Sequence, residues 1–232
     1  MPELLGTTLF NDASLQEYYT LEDALADKNG NNLTNEGTAT FVAAKFTNGV
    51  SGGSTDADKA LTIASALGYT GGDYSISLWL KLNTEIASGV YYICEIAEAP
   101  NDTTILLQYD YNGGTRQLSV LRVRLGVAAD TGTPHNVDLG TSTFHHIVWT
   151  RSSTTMKLYL NNVEVQSFTS SGNGTSGGVD RFRLLAGRAN ATDANTLGII
   201  DDVGLFNKAL STSEISTLYN DAATGGYIFI QA

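Results

Sequence analysis

The chain has 232 residues, 24 acidic and 13 basic side chains and a formal net charge of −11, which excludes general nucleic-acid binding because a phosphate backbone is held by clustered Lys and Arg. Its length suits one β-sandwich domain, and a unit of this size buries roughly 70% of its extended-chain surface, so stability requires neither a disulfide nor a metal. Cys94 is the only cysteine, which excludes an intrachain disulfide, and no run of about 18 apolar residues exists to span a membrane.

Residues 1–14 read as an N-terminal extension ahead of a single domain over 15–232. Met1-Pro2-Glu3-Leu4-Leu5 lacks the basic start and long apolar run of a secretory signal. Thr47–Asp58 is rich in Gly, Ser, Thr and Asn and is predicted as a surface connection. The clearest strand is Tyr74–Leu82, where Tyr74, Ile76, Leu78, Leu80 and Leu82 alternate with Ser75, Ser77, Trp79 and Lys81; the period of two predicts one face on a core and one open. Tyr91–Ile96 reads as another strand, with Cys94 a buried, inert thiol. From Gln117 to Val127, Leu121, Val123, Leu125 and Val127 share one face, and Arg122 and Arg124 take the other. Together with Arg181, Arg183 and Arg188, these arginines read either as a solvated strand face or as a local basic patch.

His145–Thr150 and Met156–Asn161 follow as strands joined by the polar loop Arg151–Thr155. Asn161-Asn162 tolerates the left-handed backbone of a tight turn before Val163, Val165 and Ser167 start another strand. Ser170–Gly178 is a second small, polar connection. Near the C-terminus Ser211 is placed to cap a helix from about Thr212 to about Tyr219, with Glu214 completing a capping box and Leu210 and Ile215 a hydrophobic staple. Tyr227–Ile230 is apolar and reads as a closing strand or as an edge offered to a neighbour, the second of which makes a homo-oligomer. Many short strands between Gly, Asn, Ser and Thr clusters predict an all-β sandwich with one short helix.

Three segments in order resemble the laminin G-like branch of the concanavalin A-like lectin-glucanase superfamily: Tyr74–Lys81, then Phe144–Arg151 with Met156–Val163, then Ile200–Ser211, the last reading Ile-Asp-Asp-Val-Gly-Leu-Phe-Asn-Lys-Ala-Leu-Ser. Tyr18–Leu33 is similar to that family's first strand and its Asp/Gly/Asn loop, so the likeness covers roughly residues 15 to 222. The resemblance implies a jelly-roll antiparallel sandwich. One departure stands out: the family often has an Asp-Gly pair after its Ala-Leu strand, and Ala60–Ser65 has none.

Four groups of residues bear on chemistry. Asp27, Asn29 and Asn31 place side-chain oxygens at every second residue, as hard cations such as Ca²⁺ prefer, but without the downstream Glu of an EF-hand; the same residues suit a turn that bonds its own backbone. The resemblance implies that Asp201 or Asp202 completes a calcium cage with this loop. Tyr109, Tyr111 and Asn112, ahead of Gly113-Gly114, read as a platform for stacking and hydrogen-bonding a sugar, or as a plain hairpin with tyrosines on its shoulders. Glu95 and Glu98 are the nearest approach to a glycosidase pair, yet an extended strand turns them to opposite faces. His145 and His146 likewise face opposite ways, which leaves one of them a hydrogen-bonded core histidine.

The function expected from these readings is a non-enzymatic binding or structural module that recognises glycans or neighbouring subunits. By analogy with the family it is displayed on a virion or extracellular surface, as a phage decoration or tail component or an adhesion domain. The alternatives are a secreted, calcium-assisted lectin domain cut from a larger protein and a degenerate glycosidase.

Overall fold

The computed structural model describes residues 12–22, 24–27, 30–35, 39–52, 61–63, 73–98, 103–124, 127–170, 179–185 and 198–223. In chain order the first strands are β1 (Leu15–Tyr19), β2 (Thr34–Asn35), β3 (Thr40–Ala43), β4 (Asn48–Ser51), β5 (Leu61–Ile63) and β6 (Tyr74–Leu82). The middle of the chain gives β7 (Gly89–Glu98), β8 (Thr103–Asn112), β9 (Thr115–Arg124), β10 (Val127–Thr131) and β11 (His135–Asn136). There follow β12 (His145–Ser152), β13 (Thr155–Leu160), β14 (Val163–Thr169), β15 (Val179–Leu184), β16 (Gly198–Phe206) and the helix α1 (Thr212–Ala223).

The strands form two eight-stranded antiparallel sheets. Sheet A runs β14-β13-β12-β6-β16-β4-β3, with β1 also on β16; sheet B runs β10-β9-β8-β7-β15-β5-β2, with β11 also on β9. This is the expected jelly-roll sandwich. The inner faces meet in one apolar core that includes Ile76, Leu78 and Leu80 from β6, Ile105, Leu107 and Tyr109 from β8, and Phe182 and Leu184 from β15. Among the described residues no helix is long and apolar enough to cross a membrane.

The strand read first from its alternation, β6, has the expected bounds but not an open polar face. Ser75, Ser77 and Trp79 are all buried, because α1 packs on the outer side of sheet A. Val148, Tyr159 and Phe206 of that face form a second cluster with Leu210, Ile215 and Leu218 of the helical segment. The buried serines are satisfied: Ser75 Oγ donates to Lys208 O at 2.8 Å and accepts from Leu210 N–H at 2.8 Å, and Ser77 Oγ bonds His146 Nε2 at 2.9 Å. The capping box forms as predicted, with Ser211 N–H donating to Glu214 Oε2 at 2.7 Å and Glu214 N–H to Ser211 Oγ at 3.3 Å. The helix runs one turn beyond its predicted end, to Ala223.

In β9 the inward face differs from the predicted one. Leu118, Val120 and Arg122 stand opposite Tyr109, Leu107 and Ile105 and point inward, which puts Leu121 on the other side. The apolar run at Leu121 pointed to the wrong parity because the arginine at the strand's end is buried by ion pairing. Arg122 is 5% exposed, and its Nη1 donates to Asp130 Oδ2 at 3.0 Å. Ser170 Oγ donates to the same Asp130 oxygen at 3.1 Å, and Gln166 Oε1 of β14 accepts Val120 N–H at 2.9 Å. Arg122 therefore belongs to neither a solvated face nor a basic patch; it helps close the edge where the two sheets meet.

Two predicted connections are shorter in the structure, and the Asn161-Asn162 turn is as predicted. Asn48–Ser51, inside the expected surface connection, is β4 and pairs with both β3 and β16. The β12–β13 hairpin narrows to a turn at Ser153-Thr154, with Arg151 inside β12 and 2% exposed. Asn161 and Asn162 have φ of 49° and 66°, the left-handed pair that a two-residue hairpin requires. Leu125, Arg188, the stretch 171–178 and Tyr227–Ile230 lie outside the described residues.

His146 is the predicted core histidine. It is 1% exposed, its ring lies 4.9 Å from Trp79 and 6.0 Å from Tyr219, and burial lowers its pKa to about 3. Its N–H donates to Asn161 Oδ1 at 2.9 Å, while Asn161 Nδ2 donates to His145 Nδ1 at 3.1 Å. His145 Nε2 then donates to Leu139 O at 2.8 Å, which fixes its tautomer.

Two measurements check this account. Asn161→Ala and Asn161→Gly both lose the acceptor for His146 N–H and the donor to His145 Nδ1, and Ala, unlike Asn or Gly, is poorly suited to the left-handed backbone there; urea denaturation is expected to show a cost of about 1–3 kcal/mol for the lost bonds, plus roughly 1 kcal/mol more for Ala. Equal costs for the two variants would place the whole effect in the hydrogen bonds. For His146 the folded pKa lies below the unfolded value, so the unfolded chain takes the proton first. The stability contributed by the uncharged ring is then complete above about pH 6.5 and falls as pH drops towards 3. Between pH 7 and 4.5 the wild type should lose about 3 kcal/mol that His146→Gln does not lose; the same pH slope in both proteins would remove the ring from the explanation.

Candidate functional site

The outer face of sheet B follows from strand parity. In β8, Tyr109 and Tyr111 alternate with Gln108, Asp110 and Asn112, and the two sets point to opposite sides. Tyr109 is fully buried, accepting Leu139 N–H at 3.0 Å and donating to Val137 O at 3.1 Å. Tyr111 packs against the core with Arg116 over its ring at 6.0 Å. Neither tyrosine presents its ring as the stacking platform read from the sequence, because the sandwich takes the aromatic parity inward. Asn112 stands exposed beside a turn in which Gly113 and Gly114 have φ of 57° and 90°.

The outward set continues across neighbouring strands in two rows. Val90, Asp110, Gln117 and Asn136 are direct partners along β7, β8, β9 and β11. Tyr92, Gln108 and Ser119 make the adjacent row. Gln117 Nε2 donates to Asn136 Oδ1 at 2.8 Å, and Gln108 Nε2 reaches Asp110 Oδ2 at 3.4 Å. Asp110 Oδ1 is shielded from solvent with no hydrogen-bond partner, and burial raises the carboxyl's pKa. Ser119 and Tyr92 are buried, so the groups at the surface on this parity are chiefly the amides of Gln117, Asn136 and the neighbouring Asn112, which can donate to and accept from hydroxylated ligands.

Farther along the same face the character changes. Glu95, Leu106 and Leu121 share the next row with Arg183 and Thr62. Glu95 is fully buried, and Arg183 Nη1 lies 3.6 Å from its Oε2. This pair is a covered part of the face, and the side chain of Glu98 lies outside the described residues.

Of the residues read as calcium ligands, Asp27 and Asp202 both bond Tyr18. Its N–H donates to Asp27 Oδ1 at 2.7 Å, and its hydroxyl donates to Asp202 Oδ1 at 2.7 Å. Asp27 also makes the turn that was the second reading of its loop: its carbonyl accepts Gly30 N–H at 3.2 Å and its N–H donates to Asn32 Oδ1 at 3.1 Å. Asn31 Nδ2 donates to Glu17 Oε1 at 2.6 Å; Asn29 lies outside the described residues. Asp201 Oδ2 accepts the N–H groups of Lys45 and Phe46, both at 3.0 Å.

Asp202 has φ of 47° at a bulge where β16 shifts register against β6. Asp201 Oδ1 and Asp202 Oδ2 are buried without hydrogen-bond partners, and burial raises both carboxyl pKa values, that of Asp202 further through its charged neighbour. Two orphaned hard oxygens suit a hard cation. Among the described residues, however, no three His, Cys, Asp or Glu side chains come together as a metal-holding group.

No curated protein matches the sequence. Among solved structures, domain 4 of a GH43 extracellular arabinanase from Geobacillus stearothermophilus, in complex with arabinotriose, is similar at 19% identity and a TM-score of 0.67, over 89% of this chain and 98% of that one. A Trypanosoma rangeli sialidase in complex with sialic acid is similar at 16% identity and a TM-score of 0.68, over 93% of this chain and 34% of the sialidase. The binding domain of botulinum neurotoxin DC in complex with SialylT is similar at 17% identity and a TM-score of 0.69, over 91% of this chain and 52% of that one. At these identities the likeness is one of fold. The family model described as the concanavalin A-like lectin/glucanases superfamily matches residues 53–216, which is most of the chain, and the protein belongs to that superfamily.

Proposed function

We propose that this protein is a non-enzymatic carbohydrate-binding module whose ligand lies on the outer face of sheet B. The observation that carries the reading is the polar row built from Asp110, Gln117 and Asn136, with Gln108 and the exposed Asn112 beside it on the same parity. Their side chains take no part in the inner core, and no strand-packing demand explains amides and a carboxylate in register there. The neighbour in complex with arabinotriose, matched over nearly its whole length, lends the same reading weight.

A glycosidase needs two carboxylates flanking the scissile bond, roughly 5 to 9.5 Å apart. Among the described residues the open rows carry Asp110 alone, and Glu95 is shut in beside Arg183. This favours binding over hydrolysis. Surface display, on a virion or an extracellular structure, suits such a module, and a subunit that contacts its neighbours in a larger assembly is the second reading. Its motive is the edge strand β3, which carries no charge and leaves Phe41 39% exposed.

Electrophoresis of the protein through gels containing neutral polysaccharides, paired with an assay for reducing ends, tests the first reading. Retarded migration with no new reducing ends is expected; release of reducing ends would make the chain an enzyme. Light scattering decides the second reading, since a stable oligomer with no retardation in any gel would favour the subunit.

Calcium is proposed as a stabiliser rather than a ligand bridge, held by Asp201 and Asp202 with oxygens of the Asp27 loop. Thermal melting should then rise by several degrees on adding CaCl₂ and return on adding EDTA, by the ordinary linkage of a ligand that binds only the folded state. Asp202→Asn should abolish the rise, and an unchanged melting temperature in the wild type would remove the ion from the account.

A further inference from the structure

We infer that the free edge of β3 is a self-association surface, where a second copy of this chain adds its own β3 antiparallel across a two-fold axis and continues sheet A from one protomer into the other. The inference rests on the edge that motivates the subunit reading and is independent of what sheet B binds. β3 is Thr40-Phe41-Val42-Ala43 and pairs on one side only, with β4. The turn that closes this hairpin fixes the phase of its ladder. Ala44 N–H donates to Thr47 O at 3.2 Å, and hydrogen-bonded pairs alternate with non-bonded ones along an antiparallel ladder. Val42 with Gly49 and Thr40 with Ser51 therefore carry the next bonds to β4. Phe41 and Ala43 turn their backbone N–H and C=O groups the other way, into the open edge.

That phase makes the edge complementary to itself. Antiparallel pairing about Val42 sets Phe41 opposite the partner's Ala43 and Ala43 opposite the partner's Phe41, so the open backbone groups of each strand meet those of the other. The side chains suit the same register: a ring lies beside a methyl group on one face, and Val42 meets its own copy on the other. Phe41 stands on the parity of Val50, which is 1% exposed in the core, yet is itself 39% exposed; a second β3 beside it covers the ring.

Exposed edges are ordinarily guarded by charge, bulges, brevity or cover. Among the described residues the other edges have such guards. β14 carries Glu164, paired with Lys157 at 2.9 Å, and its ladder with β13 is bulged at Leu158-Tyr159. β10 carries Asp130, tied to Arg122 and Ser170. β1 is buried over most of its length, and β2 and β11 have two residues each. β3 is exposed, straight in register and uncharged. Two chains of net charge −11 repel, so a contact between copies has to be made where the surface carries no charge.

Sedimentation velocity of the full chain across a wide range of concentrations tests the surface, and a monomer–dimer equilibrium is expected. Association should strengthen as salt rises, because repulsion between the acidic chains is screened and the interface holds no ion pair. Ala43→Pro removes an edge N–H that makes no bond to β4, and Ala43→Glu sets a carboxylate against the partner's Phe41. Each should raise the dissociation constant by about tenfold or more, while Val163→Glu on the opposite edge leaves it unchanged. The Glu variant keeps the backbone intact and decides the matter if the proline disturbs the strand. A dimer that both Ala43 variants leave at full strength overturns the inference and assigns the subunit reading to another surface. A wild type that is monomeric throughout overturns the inference together with the self-assembling form of that reading.

Discussion

Sheet A is the layer on which the rest of the molecule depends, because its central strands β12, β6 and β16 are buried on both faces. Sheet B covers one side and α1 with its flanking chain covers the other, so polar side chains on the helix side have to find partners inside the protein. Ser75 takes the backbone at Lys208 and Leu210, Ser77 takes His146, and Asp201 takes the turn at Lys45 and Phe46. Gly49 shows how closely that turn sits. A Cβ there would lie 2.6 Å from Ile200 O and 2.7 Å from the Ala44 Cβ. The central strands, sealed this way, have no face left for a ligand, which shifts attention to the outer side of sheet B.

Local chemistry was legible wherever one residue type has one physical use. The Asn161-Asn162 turn, the Ser211–Glu214 capping box and the alternation of β6 each depend on neighbours in sequence, and each was found where expected. Long-range contacts were not legible in the same way. Whether the serine face of β6 met water or a helix depended on α1 folding back across more than a hundred residues. That Arg122 would turn inward depended on Asp130 of β10 and Ser170 after β14 arriving beside it. An arginine in an alternating strand reads as solvent-facing until the partner that neutralises it is known.

The candidate site shows the same limit in sharper form. Gln108-Tyr109-Asp110-Tyr111-Asn112 contains both possible faces of β8, and its alternation was visible from the outset. Reading the tyrosines outward joined aromatic character to sugar stacking. Yet in a sandwich with one large core the aromatic parity has the greater gain from burial, of the order of 25 cal/mol per Å² of apolar surface. Tyr109 satisfies its hydroxyl at Val137 and Leu139 and so is buried at little polar cost. Asn112 was assigned to the site for its loop position, and it stands on the outward parity with Gln108 and Asp110. The signal that could have found those two residues is the rule that placed β6: when one parity is apolar or aromatic, the polar parity is the one left to meet a ligand.

This division also explains how the fold persists while sequence identity to its structural neighbours falls to 16–19%. Inner positions need only be apolar and of fitting volume, so many sequences fill the same core. Outer positions on sheet B that stay at the surface, such as Asn112 and Asn136, are released from packing. Their side chains are free to change without cost to the sandwich, and ligand selectivity can be rewritten there one residue at a time. The fold by itself does not set a ligand, so what this chain binds is to be argued from the side chains at its surface and not from the sandwich geometry beneath them.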